Sequence, residues 1–310
     1  MRLKSIILVA PLALALTSPA SRATPLNLYE WIALAPVIVA GKNRGTYGKY
    51  AEFTVQNVYR GEAAGDIRVN VRRANRDRDR FLYKDALRFE EGESYVLLLV
   101  RAATSDPNEK PAFELIRGVR GAREVPPEGS GPFLEAIERF ARLQDQRDDR
   151  VIWRNLAEML EGTNPILVET ALDQFLKFQR GEPRLLESLR PLLDHPDPEL
   201  RERTARLIGQ VLMRNGEEPI PDVGTLQDEL VARARRDDAI TVRVASVHAL
   251  DQLDSATVQE ILKKIARDDP DQTVRYAAEK LIYDRQERLE RSGSEDDDAP
   301  GRRAGSGTQN

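Results

Sequence analysis

The sequence predicts an α+β chain of two domains, a small all-β unit followed by a short solenoid of stacked helical pairs. Two observations carry this. From Asp194 to Tyr283 one phrase recurs: DPELRERTARLIG from Asp197, DAITVRVASVHAL from Asp238 and DQTVRYAAEKLI from Asp271. Each copy has an aliphatic anchor followed by Arg (Leu200-Arg201, Val242-Arg243, Val274-Arg275) and an apolar pair seven and eight residues after the anchor. A weaker copy anchors at Val168, with Phe175 and Leu176 at those offsets. The anchors 168, 200, 242 and 274 are 32, 42 and 32 residues apart, and the long interval holds the insert NGEEPIPDVG. A fixed period with one loop insertion marks helical pairs that bury their apolar faces by stacking. The second observation is five strand-length apolar runs, divided by turn residues, between residues 24 and 130.

Ahead of both domains, Arg2 and Lys4 precede the apolar run IILVAPLALAL and the small-residue pattern Ser21-Arg22-Ala23. This predicts a signal peptide over residues 1–23, cleaved after Ala23, and a secreted or periplasmic protein. The run is too short for a stable membrane span, and with no Cys in the chain a lipoprotein anchor is excluded. Without disulfides both domains must hold together by core burial. Charged residues make up 32% of the chain, yet the net charge is only −4. Mixed signs fit solvated helix faces and argue against a nucleic-acid footprint.

In the β unit, NLYEWIALA is a short amphipathic segment leading into PVIVAGKN, where β-branched residues follow Pro36. KYAEFTVQNVYRG places Phe53 and Val55 on one face and shifts phase at Asn57-Val58, as a bulge would. GDIRVNVRR alternates, with Ile67, Val69 and Val71 on one side. GESYVLLLVRA is continuously apolar, as a central strand would be, and AFELIRGVRG closes the set. Five such strands make a small barrel or sandwich. The loop ANRDRDRFLYKD offers Arg72, Arg73, Arg76, Arg78 and Arg80 beside Phe81 and Tyr83, a set that could contact nucleic acid or anionic glycan. Asp77 and Asp79 neutralise their neighbours, and a solvated loop is the preferred reading.

The order PVIVAGKN, EFTVQNVYRG, DIRVNV, LRFEEGESYVLLL resembles the netrin-like or TIMP-like variety of OB barrel of exported bacterial proteins. The resemblance rests on the sub-motifs VxxG, VYRG and EGESYVLLL over about a third of the chain. It implies an OB-like five-stranded barrel over residues 24–130 with a ligand-binding habit. TIMP proteins chelate a protease zinc through an N-terminal Cys; this chain would begin at Thr24 and has none, so that activity does not carry over.

The helical region is expected over residues 132–290. PFLEAIERFARLQ spaces Phe133, Ile137 and Phe140 as a helix bridging the two domains. DRVIWRNLAEMLEG pairs with NPILVETALDQFLKF, which has Asn164 as cap and Pro165 at the first helical position. PRLLESLRPLLD pairs with DPELRERTARLIGQVL, TLQDELVARARRD with AITVRVASVHALDQL, and ATVQEILKKIARDD with QTVRYAAEKLIYDRQERLE. These four pairs resemble HEAT repeats of the PBS-lyase type, which carry the phrase D-P-D-x-x-V-R. Export and the foreign barrel argue against the bilin chemistry of PBS lyases. Residues 291–310 lack apolar periodicity and are expected to be disordered.

The polar residues of the repeats read as structure. Asp197 and Asp271 fall where helices need N-caps, and Arg201, Arg243 and Arg275 recur at the period of the array, each within reach of the adjoining repeat. Asp237-Asp238 and Asp268-Asp269 suggest solvated caps in turns before a divalent cation or acid/base pair. His195 belongs to the same turn class, and His248 has only Asp251 near it in sequence. There is no G-x-S-x-G, no phosphate-binding Gly loop and no H-E-x-x-H. No catalytic residue, cofactor or metal is assigned.

The reading is an exported, non-enzymatic scaffold that binds a protein partner, with a glycan as the other ligand class. The alternative is a regulator of an envelope hydrolase acting through the barrel. Val242, Val274, Leu207, Leu250 and Leu281 should be buried, and Asn215 to Gly224 should form an exposed loop. At about 100° per residue, positions two, five and nine after each anchor point away from the core. These are Thr170, Asp173 and Lys177, then Glu202, Ala205 and Gly209, then Val244, Val247 and Asp251, then Tyr276, Glu279 and Tyr283. Val244, Val247, Tyr276 and Tyr283 form the candidate binding cluster on the concave face.

Overall fold

A computed structural model describes residues 26–71, 88–102, 111–125, 130–214, 220, 222–253 and 255–297. The expected signal peptide and the arginine-rich loop of residues 72–87 lie outside them, as do most of the 215–224 insert and the end of the tail.

A capped helix, α1 (Leu28–Ala33), precedes six strands: β1 (Val37–Tyr47), β2 (Tyr50–Arg60), β3 (Asp66–Asn70), β4 (Ser94–Arg101), β5 (Ala112–Leu115) and β6 (Ala122–Glu124). The order β1-β2-β3-β5-β4 closes through a further pairing of β1 with β4, and β6 adds to β4 outside the ring. β3 and β5 run parallel while the other pairs are antiparallel. This is a closed five-stranded barrel of OB type. The expected bulge exists: the β1–β2 register skips Tyr59 and Gln56 on β2, on either side of Asn57-Val58. Gly61 ends β2 at φ +73°, where a Cβ would lie 2.4 Å from the Pro36 carbonyl oxygen, so no other residue fits this corner.

The continuous apolar run of β4 has a two-sided cause. Tyr95, Leu97 and Leu99 point into the barrel, where Phe53, Phe89 and Tyr95 meet edge to face at 4.9–6.1 Å. Val96 and Leu98 point outward and join the core of the helical region, as Ile38 does from β1. They are met by Phe133, Ile137 and Phe140 of the bridging helix α2 (Ser130–Gln144). Each such side chain stabilises the fold by about 1.5–3 kcal/mol on burial. The barrel is therefore fastened to the array by the outer face of its own central strands. Polar ties add to this: Arg60 reaches Asp145 at 3.4 Å, and Lys177 pairs with Glu30 of α1.

The array follows as four pairs: α3 (Asp149–Leu160) with α4 (Pro165–Lys177), α5 (Leu185–Leu189) with α6 (Pro198–Arg214), α7 (Val223–Arg236) with α8 (Ile240–Leu250), and α9 (Ala256–Asp268) with α10 (Gln272–Asp297). After α5 the chain tightens into a 3-10 turn, Arg190–Asp194, where Pro191 has no N–H for an α-helical bond. Caps appear where the sequence placed them. Asn164 accepts from the Ile166 N–H at 3.1 Å, Asp197 from Glu199 at 2.9 Å and Asp271 from Thr273 at 2.7 Å. Val242, Val274, Leu207, Leu250 and Leu281 are all buried. The second helices pack more closely on one another than the first helices do, so the array curves with α4, α6, α8 and α10 inside.

Two boundaries differ from expectation. Val223 and Gly224, expected in the insert, form the first turn of α7. The tail was expected to lose structure at residue 291, yet α10 continues to Asp297. A lone Gly293 costs a helix only about 1 kcal/mol, and the next breaker is Pro300.

Candidate protein-interaction surface

The repeated Arg and Asp build a ladder through the array. The Arg201 guanidinium on α6 donates from Nε to Asp237 Oδ2 at 2.8 Å and from Nη2 to Asp237 Oδ1 at 2.7 Å, in the turn of the next pair. Its Nη1 donates to the carbonyls of His195 and Pro196 in its own turn, at 2.9 and 3.0 Å. Arg243 on α8 repeats this one pair later, with Asp269 at 3.2 Å and the Asp237 carbonyl at 2.8 Å. Asp237 and Asp269 are buried, which corrects the expectation of solvated caps; only their neighbours Asp238 and Asp268 are exposed. Each carboxylate also accepts a backbone N–H two residues on, Ala239 at 3.0 Å and Asp271 at 2.9 Å. Burial alone would raise the Asp237 pKa, but the Arg201 fork and the Ala239 N–H hold it below the usual carboxylate range. The two carboxylates tie successive pairs of the array together.

The two histidines stay apart. His195 accepts the Asp197 N–H on Nδ1 at 3.0 Å, inside its turn. His248 lies exposed on the inner face of α8, where partial desolvation by its neighbours keeps its pKa below the usual value. Among the described residues no group of three or more His, Cys, Asp or Glu is placed to hold a metal ion, and no helix is long and apolar enough to cross a membrane.

The inner face between α6 and α8 carries an open groove of about 480 Å³. Its floor is small, with Gly209, Ala245 and Ala249, and its rims are Met213 on α6 and Ile240 and Val244 on α8. Met213 is 62% exposed and Ile240 42% exposed, large apolar side chains left in solvent on a face where charge would cost nothing. Glu202, Arg206 and His248 stand around them, and Thr273 of α10 continues the lining.

Of the four residues expected to form the binding cluster, Val244 lines this groove, and Tyr276 and Tyr283 on α10 are 64% and 65% exposed. Val247 does not belong to the surface. It is fully buried, as is Ala205 at the same offset on α6, while Asp173 at that offset on α4 is half-buried; Thr170, two after its anchor, is buried as well. The helical wheel gave each second helix one buried face, whereas a stacked helix has neighbours on both flanks. The position five after the anchor therefore turns toward the next second helix, and among the described residues α10 leaves that flank exposed at Glu279. Met213 escaped the reading because it lies beyond the repeated phrase, thirteen residues after its anchor, and Ile240 because it stands two residues before its anchor, ahead of the offsets assigned to the surface. Ile240 was nevertheless accessible to reasoning, because it sits one turn before Val244 on the same helix face.

A family model of HEAT repeats matches residues 183–282, which hold the last three pairs. No curated protein matches the chain. Among solved structures, the chain is similar to one in the crystal structure of the S. pombe condensin Cnd3-Cnd2 subcomplex, at 24% identity and a TM-score of 0.32. That similarity covers 46% of this chain and 21% of the other, so it spans about a fifth of the condensin chain's length.

Proposed function

We propose that this chain is an exported, non-enzymatic scaffold that holds a protein partner against the inner face of its HEAT-like array. The observation that carries the reading is the groove between α6 and α8. Met213 and Ile240 remain exposed there over a floor of Gly209, Ala245 and Ala249. Exposed apolar rims over a small-residue floor suit an apolar side chain of a partner, and curved repeat arrays use such inner surfaces for binding. The Arg–Asp ladder fixes the spacing of the helices that form the groove. Export is supported by the charged start, apolar run and Ser21-Arg22-Ala23 pattern of the first 23 residues.

The reading is tested by capture from the cell envelope with the mature protein and with Met213→Glu combined with Ile240→Glu. Both residues are exposed, so the variant should melt like the parent while losing the partner. N-terminal sequencing of the exported protein should begin at Thr24.

A second reading assigns partner binding to the barrel, as a netrin-like or TIMP-like regulator of an envelope hydrolase. It is favoured by one observation, the solvent-exposed Tyr47 at the β1–β2 hairpin beside a polar cleft lined by Lys42, Arg44, Glu52 and Glu91. OB barrels commonly bind at this loop. Tyr47→Ala would abolish capture under this reading and leave it intact under the first.

A further inference from the structure

We propose that the cleft between α1, the start of α3 and the end of α4 binds an acidic sugar, a pyranose ring that carries a carboxylate. The site is apart from the groove and does not depend on it. The cleft is open, holds about 710 Å³ and lies within the size range of small-molecule sites. Its walls are aromatic: Tyr29 comes from α1, Trp153 from α3 and Phe178 from the residue after α4. Phe178 is 54% exposed, and Leu34 of the same lining is 44% exposed. Gln174 of α4 also lines the cleft, yet it is only 2% exposed, and its Nε2 is enclosed by protein with no hydrogen-bond partner. Buried amide donors are almost always paired, so this one calls for an acceptor oxygen brought by a ligand.

The charged groups decide the class of ligand. Arg117, after β5, and Arg180, after α4, both line the cleft. Each guanidinium lies over an indole, 5.9 Å from the Trp31 ring centre and 5.4 Å from that of Trp153. Neither pairs with a carboxylate among the described residues. Arg117 has φ +50° and Gln179, beside Arg180, has φ +49°, a region that non-glycine residues seldom enter and that collects at ligand sites. Two unpaired guanidiniums favour an anion, and a planar carboxylate matches their fork. Asp149, at the start of α3, is exposed on the same lining without an ion pair, and the Tyr29 hydroxyl makes no hydrogen bond among the described residues. Burial, and then the Asp149 charge, raise the Tyr29 pKa, so the phenol keeps its proton and can donate. A sugar ring answers this mixture. Its hydroxyls donate to Asp149 and accept from Gln174 and Tyr29, its C–H faces lie on the aromatic walls, and its carboxylate pairs with the arginines. An apolar side chain of a protein partner would cover the Gln174 and Tyr29 donors without satisfying them.

The test is titration calorimetry on the full chain purified from its native host. The probes are methyl glucuronide and N-acetylmuramic acid, two acidic sugars, with methyl glucoside as the neutral control. At least one acidic sugar should bind about tenfold or more tighter than the glucoside, and which of the two does so identifies the source of the carboxylate. Arg117→Gln with Arg180→Gln, both at exposed residues, should remove that preference. Gln174→Leu should weaken the acidic sugar about tenfold while melting no lower than the parent, because it replaces an unpaired buried amide by an apolar group. Met213→Glu with Ile240→Glu should leave sugar binding unchanged, which separates this site from the groove. Equal or absent binding of all three sugars would overturn the proposal. So would a Gln174→Leu variant that melts lower yet binds as the parent does, since the amide would then serve the fold alone. Binding of a tripeptide with a free C-terminal carboxylate, in place of the sugars, would assign the cleft to peptides and overturn it equally.

Discussion

Gly209 on α6 lies against Ala249 on α8 so closely that a Cβ at residue 209 would sit 3.1 Å from the Ala249 Cα and 3.3 Å from its Cβ. The contact sets how near the two inner helices come and leaves the small floor of the groove between Met213 and Val244. Gly209→Val should push α6 from α8 and cost about 1–3 kcal/mol by overpacking. Thermal denaturation checks this, and adding Ala249→Gly should return part of the lost stability.

Breaking the ladder should cost more than any exposed ion pair. Asp237→Ala leaves the buried Arg201 only the exposed Asp238 carboxylate, 2.7 Å from Nη2, and urea unfolding should show a loss of about 3 kcal/mol. The exposed Arg267–Asp268 contact is the control: Asp268→Ala should change stability by less than about 1 kcal/mol.

Acid should act through the same rung. The Asp237 pKa is lower in the folded protein than in the unfolded chain, so its contribution is complete above the unfolded value near 4. It is lost as pH falls from there through the folded value. Denaturant midpoints should therefore decline below about pH 4, and Asp237→Ala should show a shallower decline.

Leu281 is buried where α10 meets the rest of the array. Leu281→Asp places an unpaired charge in that core and should unfold the last pair. Loss of helicity with retained barrel structure, followed by circular dichroism and hydrogen exchange, is the expected result.

Tyr276 and Tyr283 make the opposite case. Their exposure means that Tyr276→Ala with Tyr283→Ala should change stability by no more than about 0.5 kcal/mol per site. A larger drop in melting temperature would place the tyrosines in the fold and remove them from any binding surface.

Much of this architecture was legible because it is written locally. The anchors Leu200, Val242 and Val274 announce their burial by period, and Asn164, Asp197 and Asp271 announce helix starts by cap chemistry. The strands of the barrel were legible from alternation and from the apolar run of β4. β6 was missed: the last strand run, AFELIRGVRG, was ended at Gly121, and the three residues Ala122–Glu124 beyond its glycines are too short and too polar to announce a strand. What the sequence did not disclose depends on neighbours several tens of residues away. Val247 reads as exposed on an isolated wheel and is buried because a stacked helix has two flanks. Asp237 and Asp269 read as solvated turn residues and are buried because an arginine from the preceding pair covers them. The groove is a product of stacking, so its rim residues Met213 and Ile240 carry no motif.

The central claim is that the inner face holds the partner, and site-specific photocrosslinking tests it most directly. A photoreactive residue is placed at Met213 on the groove rim and, in a second protein, at the exposed Lys263 on the first helix of the last pair. Both are expressed in the native host as the full 310-residue chain and irradiated in cells. The account predicts a discrete adduct of one partner from position 213 and none from position 263. Adducts from 263 and none from 213 would contradict it.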